Sequence, residues 1–122
     1  MKIPNLEDLK YSAGLLEGEG SFQILKNDRT IRIGITMNDK DVLDYIQSLW
    51  DSGHIYGPYF RDPVKYPHCN PSWRWQISRQ KEVYEVCVAV YPFMGIRRKT
   101  QIQKVIDWFE IKENLHATTK MR

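Results

Sequence analysis

The sequence predicts an α+β fold in which an antiparallel four-stranded sheet is covered by helices on one face and left polar on the other. Three observations predict it. Apolar residues recur at helical spacing in four segments, the mark of helices that bury one stripe. Four short segments alternate apolar and polar residues instead, as half-buried strands do. The order is helix, two strands, helix, two strands, helix, helix, within 122 residues, a length that allows one domain and a modest core.

Asn5 is a good N-cap for the first helix, and Asp8 is placed to complete a capping box. Leu6, Leu9, Ala13 and Leu16 then share a face, and Gly20 is expected to end the helix as a C′ residue. Phe22 and Ile24 alternate with Ser21, Gln23 and Leu25; Asn27-Asp28 signals a turn. Ile31, Ile33 and Ile35 alternate with Thr30, Arg32, Gly34 and Thr36, so the pair reads as a hairpin with one oily and one polar face. Asn38 or Asp39 caps the second helix, whose stripe is Val42, Leu43, Ile46, Leu49 and Trp50, and Gly53 stops it. His54, Ile55 and Tyr56 begin a third strand.

Residues 57–71 hold prolines at positions 58, 63, 67 and 71. Proline lacks the ladder donor, so this is a long irregular connection or hairpin tip. It carries Arg61, Lys65, His68, Tyr59, Phe60 and Tyr66, and both a contact loop and a merely stiff surface loop fit it. Ser72 to Ser78 alternates again, with Trp73, Trp75 and Ile77 on the oily side and Arg74, Gln76 and Ser78 opposite. Val83, Val86, Cys87 and Val90 stripe the third helix, which makes Cys87 a core residue, and Pro92 ends it. Gly95-Ile96-Arg97-Arg98-Lys99 is a basic junction before a last helix carrying Ile102, Val105, Ile106 and Phe109. From Asn114 the pattern is lost, so the expected domain is 1–113 and residues 114–122 form a fraying tail.

Composition narrows the class only a little. Eighteen Lys and Arg against 15 Asp and Glu give a net charge of +3, too mild to argue for nucleic acid by itself. The apolar runs are short, so neither a membrane span nor a signal peptide is expected. Cys69 and Cys87 show no CxxC spacing and suit a reduced, intracellular compartment. A zinc site from His54, His68, Cys69 and Cys87 lacks paired ligand spacing.

The stretch Tyr11 to Phe22 asks for more than local structure explains. Gly14 and Gly18 lie four apart on the first helix, where each costs about 1 kcal/mol relative to Ala. Such a pair opens a groove in which a second backbone can approach closely. Glu17 and Glu19 stand at the negative end of the same helix, where acids are mildly destabilising. A carboxylate beside orphan carbonyls is an oxygen-rich spot that a hard cation such as Mg2+ would relieve.

Ser12-Ala13-Gly14-Leu15-Leu16-Glu17-Gly18-Glu19-Gly20, followed by Ser21-Phe22, resembles the signature of the LAGLIDADG homing endonucleases, with Ser for the first Leu and Glu for both acids. The resemblance implies an αββαββα fold. It also implies an intron-encoded, site-specific DNA endonuclease that makes a double-strand break by magnesium-dependent phosphodiester hydrolysis. With one motif in the chain, it implies a homodimer whose interface includes Gly14, Leu15 and Gly18. Glu19, with the main-chain carbonyl of Gly18, would bind the Mg2+, which activates a water and stabilises the leaving oxygen. Matching Pro92-Phe93-Met94 to the family's corresponding segment puts Arg97 at a basic position near the active site, with Lys99 close by; Arg there acts electrostatically, since it cannot serve as a base. Met37 departs from the polar residue, often Gln, expected to organise water, and Asn38 is the neighbour able to substitute. The alternative that the resemblance carries is a catalytically weakened relative that only binds DNA, or binds intron RNA as a splicing cofactor.

An open polar sheet face of this kind can lie in the major groove of double-stranded DNA, where each base pair shows its own donor and acceptor pattern. The residues expected to contact DNA are Ser21, Gln23, Asn27, Arg29, Arg32, Thr36, Asn38, His54, Tyr56, Arg74 and Gln76. Strand parity is the argument, and a one-residue slip would exchange the set.

Overall fold

The Asn5 side chain opens the first helix as expected: its Oδ1 accepts the Asp8 N–H at 2.9 Å. The computed structural model describes residues 1–27 and 29–121, with side chains up to residue 115. The elements are α1 (Leu6–Glu19), β1 (Gly20–Leu25), β2 (Thr30–Met37), α2 (Lys40–Trp50), β3 (His54–Tyr59), β4 (Ser72–Ile77), α3 (Gln80–Val90), a 3-10 turn (Tyr91–Phe93) and α4 (Ile96–Met121). The sheet has four strands in the order β1-β2-β4-β3, and every neighbouring pair is antiparallel. Asp28, half of the expected turn signal, lies outside the described residues; Asn27 takes a left-handed φ of 55° there, as turn asparagines do.

The oily face of the sheet is Ile31, Ile33, Ile35, Trp75 and Ile77, all buried. It meets Leu16, Leu43, Ile46, Trp50, Val83, Val86 and Ile102 from the helices, in one core. Burying a side chain of this size stabilises the fold by roughly 1.5–3 kcal/mol relative to leaving it exposed. Trp75 also donates from Nε1 to the Ser52 carbonyl at 2.9 Å, so its one polar atom is satisfied inside.

Several expectations are corrected. Leu6 stays 58% exposed, and Ser12 is buried on α1 instead. The Ser12 hydroxyl donates to the Asp8 carbonyl at 2.9 Å and accepts from Trp50 Nε1 at 3.1 Å, which is how a polar residue is tolerated there. Trp73 is only partly buried: it pairs with Met37, the last residue of β2, whereas Trp75 pairs with Ile35 further in. Gly20 ends the helix, but as its C-cap and not as C′: it is extended, at φ −79° and ψ 158°, and begins β1 directly. A β-carbon on it would stand 2.6 Å from the Leu16 carbonyl oxygen and 2.9 Å from Leu16 Cα, so close approach of strand to helix requires the glycine. The second helix stops at Asp51, which is left-handed at φ 48°, and Gly53 turns the chain two residues later at φ 85°. The third strand runs on to Tyr59, with a register shift between Tyr56 and Tyr59. The fourth helix continues past Asn114 to Met121. Adding a turn to a formed helix needs no new nucleus, so the backbone outlasts the apolar pattern.

Candidate functional site

The polar face of the sheet is built from rows of residues that the register places side by side. Gln23 stands opposite Arg32. Ser21, Gly34, Gln76 and His54 form the next row, and Thr36, Arg74 and Tyr56 the one after. None of these residues is acidic. The expected parity is therefore the parity of the sheet.

Arg74 is the hub. Its Nε donates to Gln76 Oε1 at 3.0 Å, Nη1 to Thr36 Oγ1 at 3.1 Å and Nη2 to Ser21 Oγ at 3.3 Å. The guanidinium lies over Gly34, where any β-carbon would collide with it. Burial first, and the charge of Arg32 second, push the Arg74 pKa below its ordinary value. Arg32 donates from both Nε and Nη2 to Gln23 Oε1, at 3.1 and 2.9 Å. His54 and Tyr56 tilt against each other at 6.3 Å between ring centroids on the β3 edge.

The other expected contact residues lie at the margins of this face. Asn27 and Arg29 are exposed on the β1–β2 turn. Asn38 follows β2 and donates from Nδ2 to the Asn70 carbonyl at 3.3 Å, so it is tied to the loop between β3 and β4. Met37, beside it, packs partly buried against the core. Every residue from Phe60 to Asn70 in that loop is exposed, and Arg61 lies over the Tyr66 ring at 5.3 Å.

The end of α1 adjoins the sheet. Gly14, Gly18 and Glu19 are exposed, and nothing lies within 4 Å of a β-carbon added to either glycine. Leu15, also expected on this surface, is half-buried against the core. Glu17 and Glu19 part company, as two helical positions about 200° apart must. The Glu17 carboxylate turns toward the start of α4: a β-carbon on Gly95 would sit 2.7 Å from Glu17 Oε1. Glu17 Oε2 is buried without a hydrogen-bond partner.

The negative end of α1 is answered by a residue the sequence reading passed over. Arg98, only 9% exposed, donates from Nε to the Glu17 carbonyl at 3.0 Å and from Nη1 to Gln101 Oε1 at 2.9 Å. The signal was present, since Arg98, Ile102, Val105 and Phe109 are in phase on one helical stripe. The Leu16 carbonyl is taken by the Gly20 N–H. Gly18, the next carbonyl after Glu17, is the one assigned to a metal with Glu19. Both are hard oxygen donors and fit magnesium chemically. Among the described residues no three His, Cys, Asp or Glu side chains gather; of the two acids ending α1, Glu19 is exposed and Glu17 is half-buried. Arg97 is exposed on the first turn of α4, and Lys99 Nζ lies over the Tyr91 ring at 5.3 Å. No ion pair among the described residues joins either to Glu19. Cys87 is buried and Cys69 exposed, which separates two of the four residues considered for zinc.

No family model matches the sequence, and no curated protein matches it. Solved structures do match. The homing endonuclease I-CvuI, in complex with the I-CreI target in the presence of magnesium, aligns at 12% identity and a TM-score of 0.65 over 85% of this chain. The group I intron-encoded homing endonuclease I-CeuI, complexed with DNA, aligns at 18% identity and 0.68 over 93%. The LAGLIDADG meganuclease I-AabMI, bound to uncleaved DNA, aligns at 17% identity and 0.69 over 92%. The chain spans 66%, 59% and 39% of those three chains, respectively. At these identities the likeness is one of fold.

Proposed function

We propose that this chain, whose fold is that of the LAGLIDADG homing endonucleases, is a site-specific DNA endonuclease that makes a double-strand break as a metal-dependent homodimer. The observation that carries the reading is an acid-free, arginine-centred sheet face that runs directly into an exposed Glu19 at the end of α1. A face of strands enters the major groove and meets base edges there. Arg32 and Arg74 make it positive, and phosphates flank the groove on both sides. Glu19, with the Gly18 carbonyl, would hold a magnesium ion, which when bound supplies Lewis-acid stabilisation to the phosphodiester and lowers the pKa of water.

The rest is work for the chain's own residues. Arg98 locks the start of α4 onto the end of α1. It thereby sets Arg97, its exposed neighbour, and Lys99 where positive charge can oppose the charge that develops on phosphate. Gly14 and Gly18, with open space above them, accept the same helix of a second copy. A twofold pairing brings two Glu19 side chains together and matches a pseudo-palindromic site.

A second reading is favoured by one observation. Met37, a side chain that cannot organise water, packs toward the core, and its polar neighbour Asn38 is tied through Nδ2 to the Asn70 carbonyl. That favours a weakened relative which binds DNA, or intron RNA, without efficient cleavage. The test is cleavage, at saturating protein with magnesium, of a site selected from a randomised duplex library. Glu19→Gln should lose more than about a hundredfold in rate, or roughly 2.7 kcal/mol, with binding and thermal stability kept. A smaller loss rules out Glu19 as the metal ligand. Wild-type protein that selects a site but leaves it uncut supports the second reading.

A further inference from the structure

Two arginines fix which end of each sheet glutamine is available to a ligand. Arginine carries donors only, so the group it meets on a glutamine must be the amide oxygen. Arg32 Nε and Nη2 both reach Gln23 Oε1, at 3.1 and 2.9 Å, and together they fill that oxygen's two lone pairs. The Gln23 amide nitrogen keeps two N–H donors with no partner among the described residues. Gln76 is held at both ends, with one bond at each: Oε1 accepts from Arg74 at 3.0 Å, and Nε2 donates to Ser78 Oγ at 3.1 Å. The hydroxyls of Thr36 and Ser21 accept from Arg74, and Ser21 donates onward to the Gly34 carbonyl at 3.3 Å. The acceptor nearest Arg32, Gln23 Oε1, is therefore filled from within the face. What remains beside Gln23 is donors, including Nη1 of Arg32.

The major-groove edges respond differently to such a face. Guanine shows two acceptors, N7 and O6, whereas adenine shows an acceptor and a donor. A glutamine reads adenine with both ends of its amide, and Gln23 has only one end to give. We propose that the Gln23–Arg32 pair is a donor-only reader that selects guanine, where an unpaired glutamine would select adenine. The inference rests on the DNA-binding reading above.

The experiment selects bound duplexes from a randomised library, without cleavage, using wild type, Arg32→Leu and Gln23→Leu. The two variants pull in opposite directions. Arg32→Leu frees the Gln23 oxygen, so one position per half-site should shift from guanine toward adenine by about 5- to 150-fold, the discrimination a bidentate contact provides. Gln23→Leu frees all the Arg32 donors, and guanine should persist there. Each variant is first checked by thermal unfolding; Arg32→Met, which keeps the stem, replaces Arg32→Leu if that melts early, and Gln23→Met likewise replaces Gln23→Leu. If the variants select sites and guanine persists in Arg32→Leu, or is lost in Gln23→Leu, the inference is overturned while DNA binding stands. If wild type enriches no sequence, the DNA-binding reading falls and this inference with it.

Discussion

Adding one methyl group at Gly14 should move folding and pairing in opposite directions. Gly14 lies inside α1, and a β-carbon there meets no atom within 4 Å. In a helix interior Ala is favoured over Gly by about 1 kcal/mol, and nothing in the single chain opposes that gain. For a domain of this size, 1 kcal/mol corresponds to a rise in Tm of about 3–6 °C. The space that makes the change harmless in one chain is the space proposed for a second helix, where the methyl group must be accommodated between two backbones. Gly14→Ala should therefore melt higher when dilute, yet self-associate more weakly and cut more slowly. Dilution matters because dimerisation itself raises an apparent Tm. Thermal unfolding at low concentration and sedimentation equilibrium at high concentration read the two effects separately. Gly20→Ala is the internal contrast: its φ of −79° suits alanine, but its β-carbon would meet the Leu16 backbone at 2.6 Å, and overpacking of this kind costs about 1–3 kcal/mol. If Gly14→Ala lowers the Tm, or leaves association unchanged, then Gly14 is not where a second helix packs.

Arg98→Met should lower stability by about 1.5–3 kcal/mol, the range for a hydrogen bond to a charged group, because it abandons the partly buried Glu17 carbonyl; an unchanged urea midpoint would count against that role. Trp75→Ala should cost about 3–5 kcal/mol, and Trp73→Ala clearly less, since only Trp75 is fully buried; equal losses in denaturant melts would contradict the burial. Burial pushes the Cys87 thiol from 9.0 up to about 12. The folded state thus holds this proton more tightly than the unfolded chain, so its contribution is complete below pH 9.0 and is lost as pH rises toward about 12. A thiol reagent near neutral pH should accordingly modify exposed Cys69 alone in the native protein, and both cysteines after denaturation; two modified cysteines in the native state would refute the placement.

How far the sequence could be read depended on the range of the physics involved. The sides of the strands were legible, because period two leaves Ile31, Ile33 and Ile35 no choice but the face opposite Arg32, Gly34 and Thr36. Gly20 was expected just past the helix and in fact caps it, but its glycine answers to the close approach of Leu16, which composition alone does not report. Gly34 read as one more strand residue until Arg74, far along the chain, was found lying across it. Arg98 was overlooked in a run of three basic residues, where only helical phase separates the buried one from its exposed neighbour Arg97. Leu6 shows the converse: it fits the apolar stripe, but α1 begins beyond the edge of the core.

The strand order also has a temporal consequence. Leu25 pairs with Thr30 across a short turn, whereas Ile35 must find Trp75 after α2, β3 and the long loop have intervened. Closing the larger loop is slower and entropically costlier than closing the turn. The β1–β2 hairpin, leaning on α1, is then the natural nucleus, and β4, carrying its edge partner β3, docks late against β2. Mutations that trim Ile33 should slow folding, and those that trim Trp75 should mainly hasten unfolding. Arg74, the centre of the proposed recognition surface, sits on that strand, so its bonds to Thr36 and Ser21 are expected to form only once β4 is in place.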